Sequence, residues 1–318
     1  RRRGAVMAKE KILLDTDIGT EVDDAITLAY LLANPEAELL GITTVTGEAY
    51  ERAKLASVLC KIAGKDIPIY PGCENPMFVP QIELYAPQKK VLSKWAHDTE
   101  FPKNRAVAFM QETIRKHPGE VTLICIAPLT NVGLLFAMDP EIPKLLKRIV
   151  LMCGSPTYTR YDNTSEKMSA MQDSDYIVLG SKGVLENNAL IDPHATKLVY
   201  EALVAEHITC GLNVTSQLIM KPEEAEAIFQ HPLLHPVMDI AREWFKDEER
   251  VTFHDPLTAV SLFHDDVCVF EKGNLTIDTE SRLLAGFTYW RPSDEGCHKV
   301  AMKVDKDKFF EHLMEVFK

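Results

Sequence analysis

Four aspartates fall within ten residues in the run Lys11-Ile-Leu-Leu-Asp15-Thr-Asp17-Ile-Gly19-Thr-Glu-Val-Asp23-Asp24-Ala25. An apolar strand pattern leads into them, and an apolar helix pattern (Ile26, Leu28, Ala29, Leu31, Leu32) follows at once. The carboxylates therefore belong at the C-terminal edge of a strand, where open α/β sheets bind ligands. Two carboxylates about 5 Å apart repel by roughly 3 kcal/mol at an effective dielectric of about 20. Several such pairs in a partly buried cleft call for a cation among them. Oxygen ligands with no nearby Cys or His favour Ca²⁺ or Mg²⁺ over zinc. Each aspartate alone also has a structural reading. Asp23 or Asp24 suits a helix N-cap, and Asp15 a strand end bonded to local amides.

Three later segments fall where the pattern places strand ends. In Ile126-Ala-Pro128-Leu-Thr130-Asn131 the turn residues open a helix and can expose the Ile126 carbonyl to a metal, although such turns are common. In Glu186-Asn187-Asn188-Ala-Leu-Ile-Asp192-Pro193, Asp192 reads as an N-cap with proline at the first helical position. Glu186 and Asn188 then offer acceptors and donors for sugar hydroxyls, or simply bond their own loop. In Phe253-His254-Asp255-Pro256, Asp255 is a cap or a metal ligand. His254 is a bonded loop histidine or, with an ordinary pKa of about 6.5, a proton donor.

The frame that must carry these residues alternates strand and helix. Strand patterns cover 11–15, 38–45, 67–70, 121–126, 148–153, 207–212 and 300–304. Helical patterns cover 24–33, 49–63, 104–117, 129–138, 194–204, 223–230, 233–246, 255–264 and 309–317. This is an α/β chain with an open, mostly parallel, Rossmann-like sheet and helices on both faces. Two stretches resist it. Residues 71–102 read as a long loop near the strand ends, and polar 155–187 has no clear period; loops of that length are usually functional. No composition shift or linker divides the chain, so 9–318 reads as one domain after a disordered or non-native extension at 1–8.

Bulk properties exclude several classes. A net charge of −12 argues against nucleic acid. No apolar run approaches the roughly 20 residues of a membrane span, and no secretory signal follows the opening arginines. Seven scattered cysteines without a C-x-x-C pair suit reduced thiols in a cytoplasmic protein.

Taken in order, these segments resemble the inosine–uridine-preferring type of nucleoside hydrolase over nearly the whole chain. The shared residues are the aspartates at 15–24, Gly41-Ile-Thr-Thr-Val-Thr-Gly47, Pro128-Leu-Thr-Asn131, Ile149-Val-Leu-Met152, Glu186-x-Asn188-x-x-x-Asp192-Pro193 and His254-Asp255. The resemblance implies a Ca²⁺ held by Asp17, Asp24, Asp255 and the Ile126 carbonyl, with Asp17 activating a water. It implies Asp23, Glu186 and Asn188 on the ribose, Glu48 beside ribose or metal, and His254 as the acid near the leaving base. It further implies a role in nucleoside salvage and a homo-oligomer, a dimer or tetramer. Two readings stand beside hydrolysis of an ordinary ribonucleoside: a modified or other ribosyl substrate, and a non-catalytic ribose- or metal-binding homologue.

The chain departs from the family pattern in several places. Two extra residues precede Asp23, and Ile18 replaces a proline. Glu48 stands for the usual Asn, Asn187 for an aromatic, and Gly180 for the Asn expected in the segment before Glu186. The family's His-Gly loop before residue 104 is missing, with only His97 nearby. Trp95, Phe78, Tyr158, Tyr161, Trp244, Phe253 and Tyr289 are candidates to stack on a base, each with core or loop packing as the alternative.

Overall fold

The computed structural model describes residues 8–158 and 185–318. Strand β1 (Glu10–Thr16) starts the sheet and helix α1 (Asp23–Ala33) returns along it. β2 (Ala37–Thr44), α2 (Ala49–Ile62) and β3 (Ile69–Pro71) extend the sheet to one side. α3 (Ala106–Lys116), β4 (Val121–Cys125), α4 (Thr130–Met138) and β5 (Arg148–Met152) build the other side, followed by β6 (Thr157–Tyr158) and β7 (His207–Cys210). The short strands β8 (Ile219–Met220) and β9 (Val251–Thr252) pair apart from the rest. β10 (Cys268–Ile277), β11 (Thr288–Pro292) and β12 (His298–Val304) complete the main sheet, in the order β3-β2-β1-β4-β5-β7-β12-β10-β11-β6.

β1 pairs in parallel with β2 on one side and β4 on the other, so the chain reverses its winding direction between β1 and β4. The crevice for a ligand in such a sheet opens at that reversal, beyond the strand C-termini. The central strands are apolar on both faces. Ile12 and Leu14 join one buried cluster with Ile124, Ile126 and Val150, while Leu13 joins a second with Leu123, Cys125 and Ile149. This two-sided burial is why these strands read as apolar runs without alternation.

The hairpin β10–β11 lies outside the expected strands. β10 runs antiparallel to both β12 and β11 and alternates buried and exposed residues around Gly273 and two charges, so it lacks the apolar run that marks the central strands. Residues 71–102 hold a 3-10 helix at Pro87–Lys94 rather than being loop throughout. The expected irregular stretch 155–187, with Gly180, Tyr161 and the Tyr158 side chain, lies largely outside the described residues. Among the described residues no helix is long and apolar enough to cross a membrane.

His207 on β7 is buried, and among the described residues no well-aligned hydrogen bond reaches either ring nitrogen, the Val199 backbone alone favouring its proton. Its ring packs edge-on to His298 at 4.6 Å and against Tyr200 at 4.9 Å. Burial, reinforced by His298, pushes its pKa down to about 3. The folded state therefore resists a proton that the unfolded chain accepts below about pH 6.5, and stability is lost as pH falls through that value. Urea melts should show His207→Leu gaining about 2 kcal/mol more over the parent at about pH 5 than at about pH 7.5. A gain that does not change with pH contradicts this account.

Candidate metal and active site

A cavity of about 190 Å³ opens beyond the C-terminal ends of β1 and β4. Asp17, Thr20 and Glu21 reach it from the β1–α1 turn, and Asp23 and Asp24 from the first turn of α1. Ile126 follows β4, Met152 ends β5, and Glu186, Asn187 and Asn188 begin the helix Asn187–Ile191. His254 and Asp255 precede the helix Pro256–Phe263. Gly19 makes the β1–α1 turn possible: its φ is +124°, and a Cβ there would stand 2.8 Å from the Leu55 side chain.

Carboxylate oxygens of Asp23, Asp24 and Asp255 lie within 4.8 Å of one another, all three buried. Asp23 Oδ2 accepts from the backbone N–H groups of His254 and Asp255, each at 3.0 Å, which draws the C-terminal segment onto α1. Thr16 Oγ1 donates to Asp24 at 2.5 Å. Asp17 falls outside this triad but remains in its field.

Burial raises the pKa of all four acids; repulsion from neighbouring carboxylates adds to it for Asp17, Asp24 and Asp255, whereas His254 and backbone amides oppose it at Asp23. Asp24 is pushed up to about 7 by burial and Asp23, against opposing effects of Thr16 and Arg52. Asp17 is raised by burial, then by Asp24 and Glu83. Asp255 is raised by burial, then by Asp23 and Asp24. The donors are all oxygen, with no Cys or His in the triad, a set that suits a hard divalent cation. Asp17 and Ile126 line the same cavity.

Of the residues singled out from sequence, Asp17, Asp23, Asp24, Ile126, Glu186, Asn188, His254 and Asp255 all line this one cavity. Glu48 does not. Its carboxylate accepts from Ala86 N at 2.9 Å and pairs with Lys89, so it pins the 86–89 segment to the start of α2 instead of reaching sugar or metal. Asp23 lies within the buried carboxylate triad with Asp24 and Asp255. Glu186 caps its helix: Oε1 accepts from Asn188 N, and Oε2 from Gly154 N and Ala189 N. Asn188 Nδ2 donates to the Met152 carbonyl at 2.9 Å.

His254 Nδ1 meets Thr215 Oγ1 at 2.8 Å. Burial holds its pKa below the ordinary value, against the upward effect of Asp23. Phe78, Trp95, Trp244, Phe253 and Tyr289 do not line the cavity; Phe253, for one, is fully buried in the core.

Three further residues at or behind the cavity are not singled out by the sequence. Glu21 and Glu83 add two acids to the cavity wall, and the buried guanidinium of Arg52 stands behind Asp17 and Glu83. Glu21 sits in the two-residue extension before Asp23, the one signal that could have flagged it. Nothing local marked Glu83, more than 50 residues further along in a proline-rich stretch, or Arg52 on a helix of mixed polarity.

A family model described as inosine-uridine preferring nucleoside hydrolase matches residues 12–311. The chain is 27% identical over 326 residues to the inosine-uridine preferring nucleoside hydrolase of Crithidia fasciculata, covering 95% of each protein. It is 26% identical over 299 residues to uridine nucleosidase 1 of Arabidopsis thaliana, covering 87% of this chain and 81% of that protein. Among solved structures, a purine-preferring ribonucleoside hydrolase from Gardnerella vaginalis superposes with a TM-score of 0.77 at 20% identity, over 96% of this chain and 98% of that one.

The raised carboxylate pKa values fix the sign of a stability effect. A folded state that holds protons the unfolded chain releases above about pH 4 becomes less stable as pH rises toward about 7. In chelator at about pH 8, Asp255→Asn should therefore melt above the parent, and the gap should close as pH approaches about 4. With divalent cation at about 100 times its Kd, the parent gains about 2.7 kcal/mol and the order reverses. Scanning fluorimetry checks both. A variant that melts below the parent in chelator at the higher pH would remove the repulsion argument.

Proposed function

This chain belongs to the inosine-uridine preferring nucleoside hydrolase family, and we propose that it hydrolyses the N-glycosidic bond of a ribonucleoside to free base and ribose, with Ca²⁺ as its ion. The observation that carries this is the buried Asp23–Asp24–Asp255 triad opening into a cavity shared with Asp17 and His254. Asp17, Asp24, Asp255 and the Ile126 carbonyl would hold the ion, with the Asp23 carboxylate beside them. When bound, Ca²⁺ supplies a Lewis-acidic centre that orders a water and lowers its pKa.

The rest falls to the chain's own groups. Breaking the bond develops oxocarbenium character on the ribose, and carboxylates facing that ring stabilise it electrostatically. The Asp17 carboxylate takes a proton from the attacking water. Glu186 Oε1 and the Asn188 side-chain oxygen retain lone pairs for sugar hydroxyls, and their backbone bonds fix where those lone pairs point. In the tautomer where Nδ1 accepts from the Thr215 hydroxyl, His254 offers its Nε2–H as a hydrogen bond to the departing base, which lowers the cost of the charge that builds there. The division of labour follows that of inverting glycosidases, one group activating water and another assisting the leaving group.

A second reading rests on Glu21 and Glu83. Both add acceptor oxygens and negative charge to the cavity, which favours a base bearing amino groups or a fixed positive charge over uracil. The same reading treats residues 9–318 as one cytoplasmic unit that assembles as a dimer or tetramer.

A reducing-sugar assay over a nucleoside panel, including cationic N-methylated bases, tests the proposal. Ribose release that chelator abolishes and Ca²⁺ restores is the expected result. Tight Ca²⁺ binding without release from any nucleoside would instead leave a non-catalytic binding protein. Asp17→Ala should lower kcat by about 10³-fold or more while the protein stays folded, and parent-like turnover would remove Asp17 from the chemistry. His254→Ala should cost about 10²-fold on a purine nucleoside and far less on an activated aryl riboside. Equal losses on the two substrates would count against the donor role.

A further inference from the structure

Arg52 on α2 has a fully buried side chain, and every one of its donors is placed. Nε donates to the Gly47 carbonyl at 2.9 Å. Nη1 donates to the Asp17 carbonyl and to Thr20 Oγ1 at 3.0 Å. Nη2 donates to Glu83 Oε1 at 2.9 Å and to the Tyr85 carbonyl at 3.2 Å. A guanidinium offers five N–H groups in a rigid plane, and this arrangement uses the full fork.

The acceptors come from three segments distant in sequence: the β1–α1 turn, the turn before α2, and the 83–85 segment. The contacts reinforce one another. Thr20 Oγ1 donates to the same Glu83 oxygen at 2.6 Å. Gln88 donates from its side chain to the Thr20 carbonyl and from its backbone to the Gly19 carbonyl, each at 3.0 Å. Two of these segments bear cavity acids, Asp17 with Glu21 on one and Glu83 on the other. Left alone, those acids repel one another and would spread the turn.

We propose that Arg52 is a positioning residue for the reaction: its buried guanidinium, clamping the Asp17 carbonyl, Thr20 and Glu83, sets where Asp17 and Glu83 present their carboxylates before ion or substrate arrives. The inference rests on the hydrolase reading for its kinetic consequence but not for its structural one. Lysine, with three donors on a single nitrogen, cannot span three segments in one plane. A residue that merely props up the fold would lower global stability and leave the local order, ion affinity and KM of the folded fraction unchanged.

The test uses the full chain with Arg52→Lys, and with Thr20→Val, which cuts one arm without disturbing the buried cation and so guards against loss of folding. Amide hydrogen exchange on the ion-free protein should rise about tenfold or more at 17–22 and 83–88 in Arg52→Lys, and at 17–22 in Thr20→Val, with β4 and β5 unchanged. Calorimetric Ca²⁺ affinity should fall about tenfold in Arg52→Lys, with KM rising several-fold in both variants. Folded variants with parent-like exchange at both segments, parent-like Ca²⁺ affinity and parent-like KM overturn the proposal. So does faster exchange spread evenly over the sheet, which marks Arg52 as a general strut. If the parent hydrolyses no nucleoside, the functional reading fails while the exchange data still decide the clamp.

Discussion

Like-charge repulsion in a confined space governs this molecule. Asp23, Asp24 and Asp255 bring three carboxylates within 4.8 Å in buried surroundings, and at an effective dielectric of about 20 each pair costs roughly 3 kcal/mol or more. Three such pairs rival the net stability of a whole domain. The fold answers with fixed donors: two backbone amides on Asp23, Thr16 on Asp24, three amides on Glu186, and the Arg52 fork behind Asp17. These hold the acids in place without neutralising them. The remaining charge makes the cluster suited to a cation.

The sheet supplies the geometry. Because the winding reverses between β1 and β4, the chain leaving β1 and the chain leaving β4 diverge and leave a gap at the rim. Asp17 and Ile126 come from the two sides of that gap, and the later helices bring Glu186 and His254–Asp255 to close it. Strain gathers nearby. Thr46 and Glu48 flank Gly47 with φ of +74° and +61°, conformations costly for residues with a Cβ. Gly47 has no side chain because the Glu83 and Leu84 carbonyls approach to 2.4 Å of where a Cβ would stand. The unusual backbone there lets the 83–85 segment lie close against α2, where Arg52 can reach it.

The two-sided apolar runs of β1, β4 and β5 were legible from sequence, because a buried parallel strand must be apolar throughout. The site-forming acids were legible too, since each follows such a run or opens a helix. Glu48 was misplaced: proximity to a motif glycine suggested a ligand role, but αL geometry at that residue goes with its pairing to Ala86 and Lys89. The β10–β11 hairpin escaped because a half-exposed antiparallel strand with interspersed charges has no apolar signature. Arg52 and Glu83 escaped for a different reason. Their partnership exists only in three dimensions, and an arginine on a helix with a mixed face looks like any solvated cation until its burial is known.

The pair of amides donated to Asp23 joins residues 231 and 232 positions apart. Such a link makes the pocket a product of very high contact order, formed only once residues 254 and 255 reach the N-terminal acids. A nascent chain that has not yet delivered residues 254 and 255 from the ribosome holds its N-terminal acids without those partners. The carboxylate triad is thus assembled only when residues 254 and 255 dock against α1.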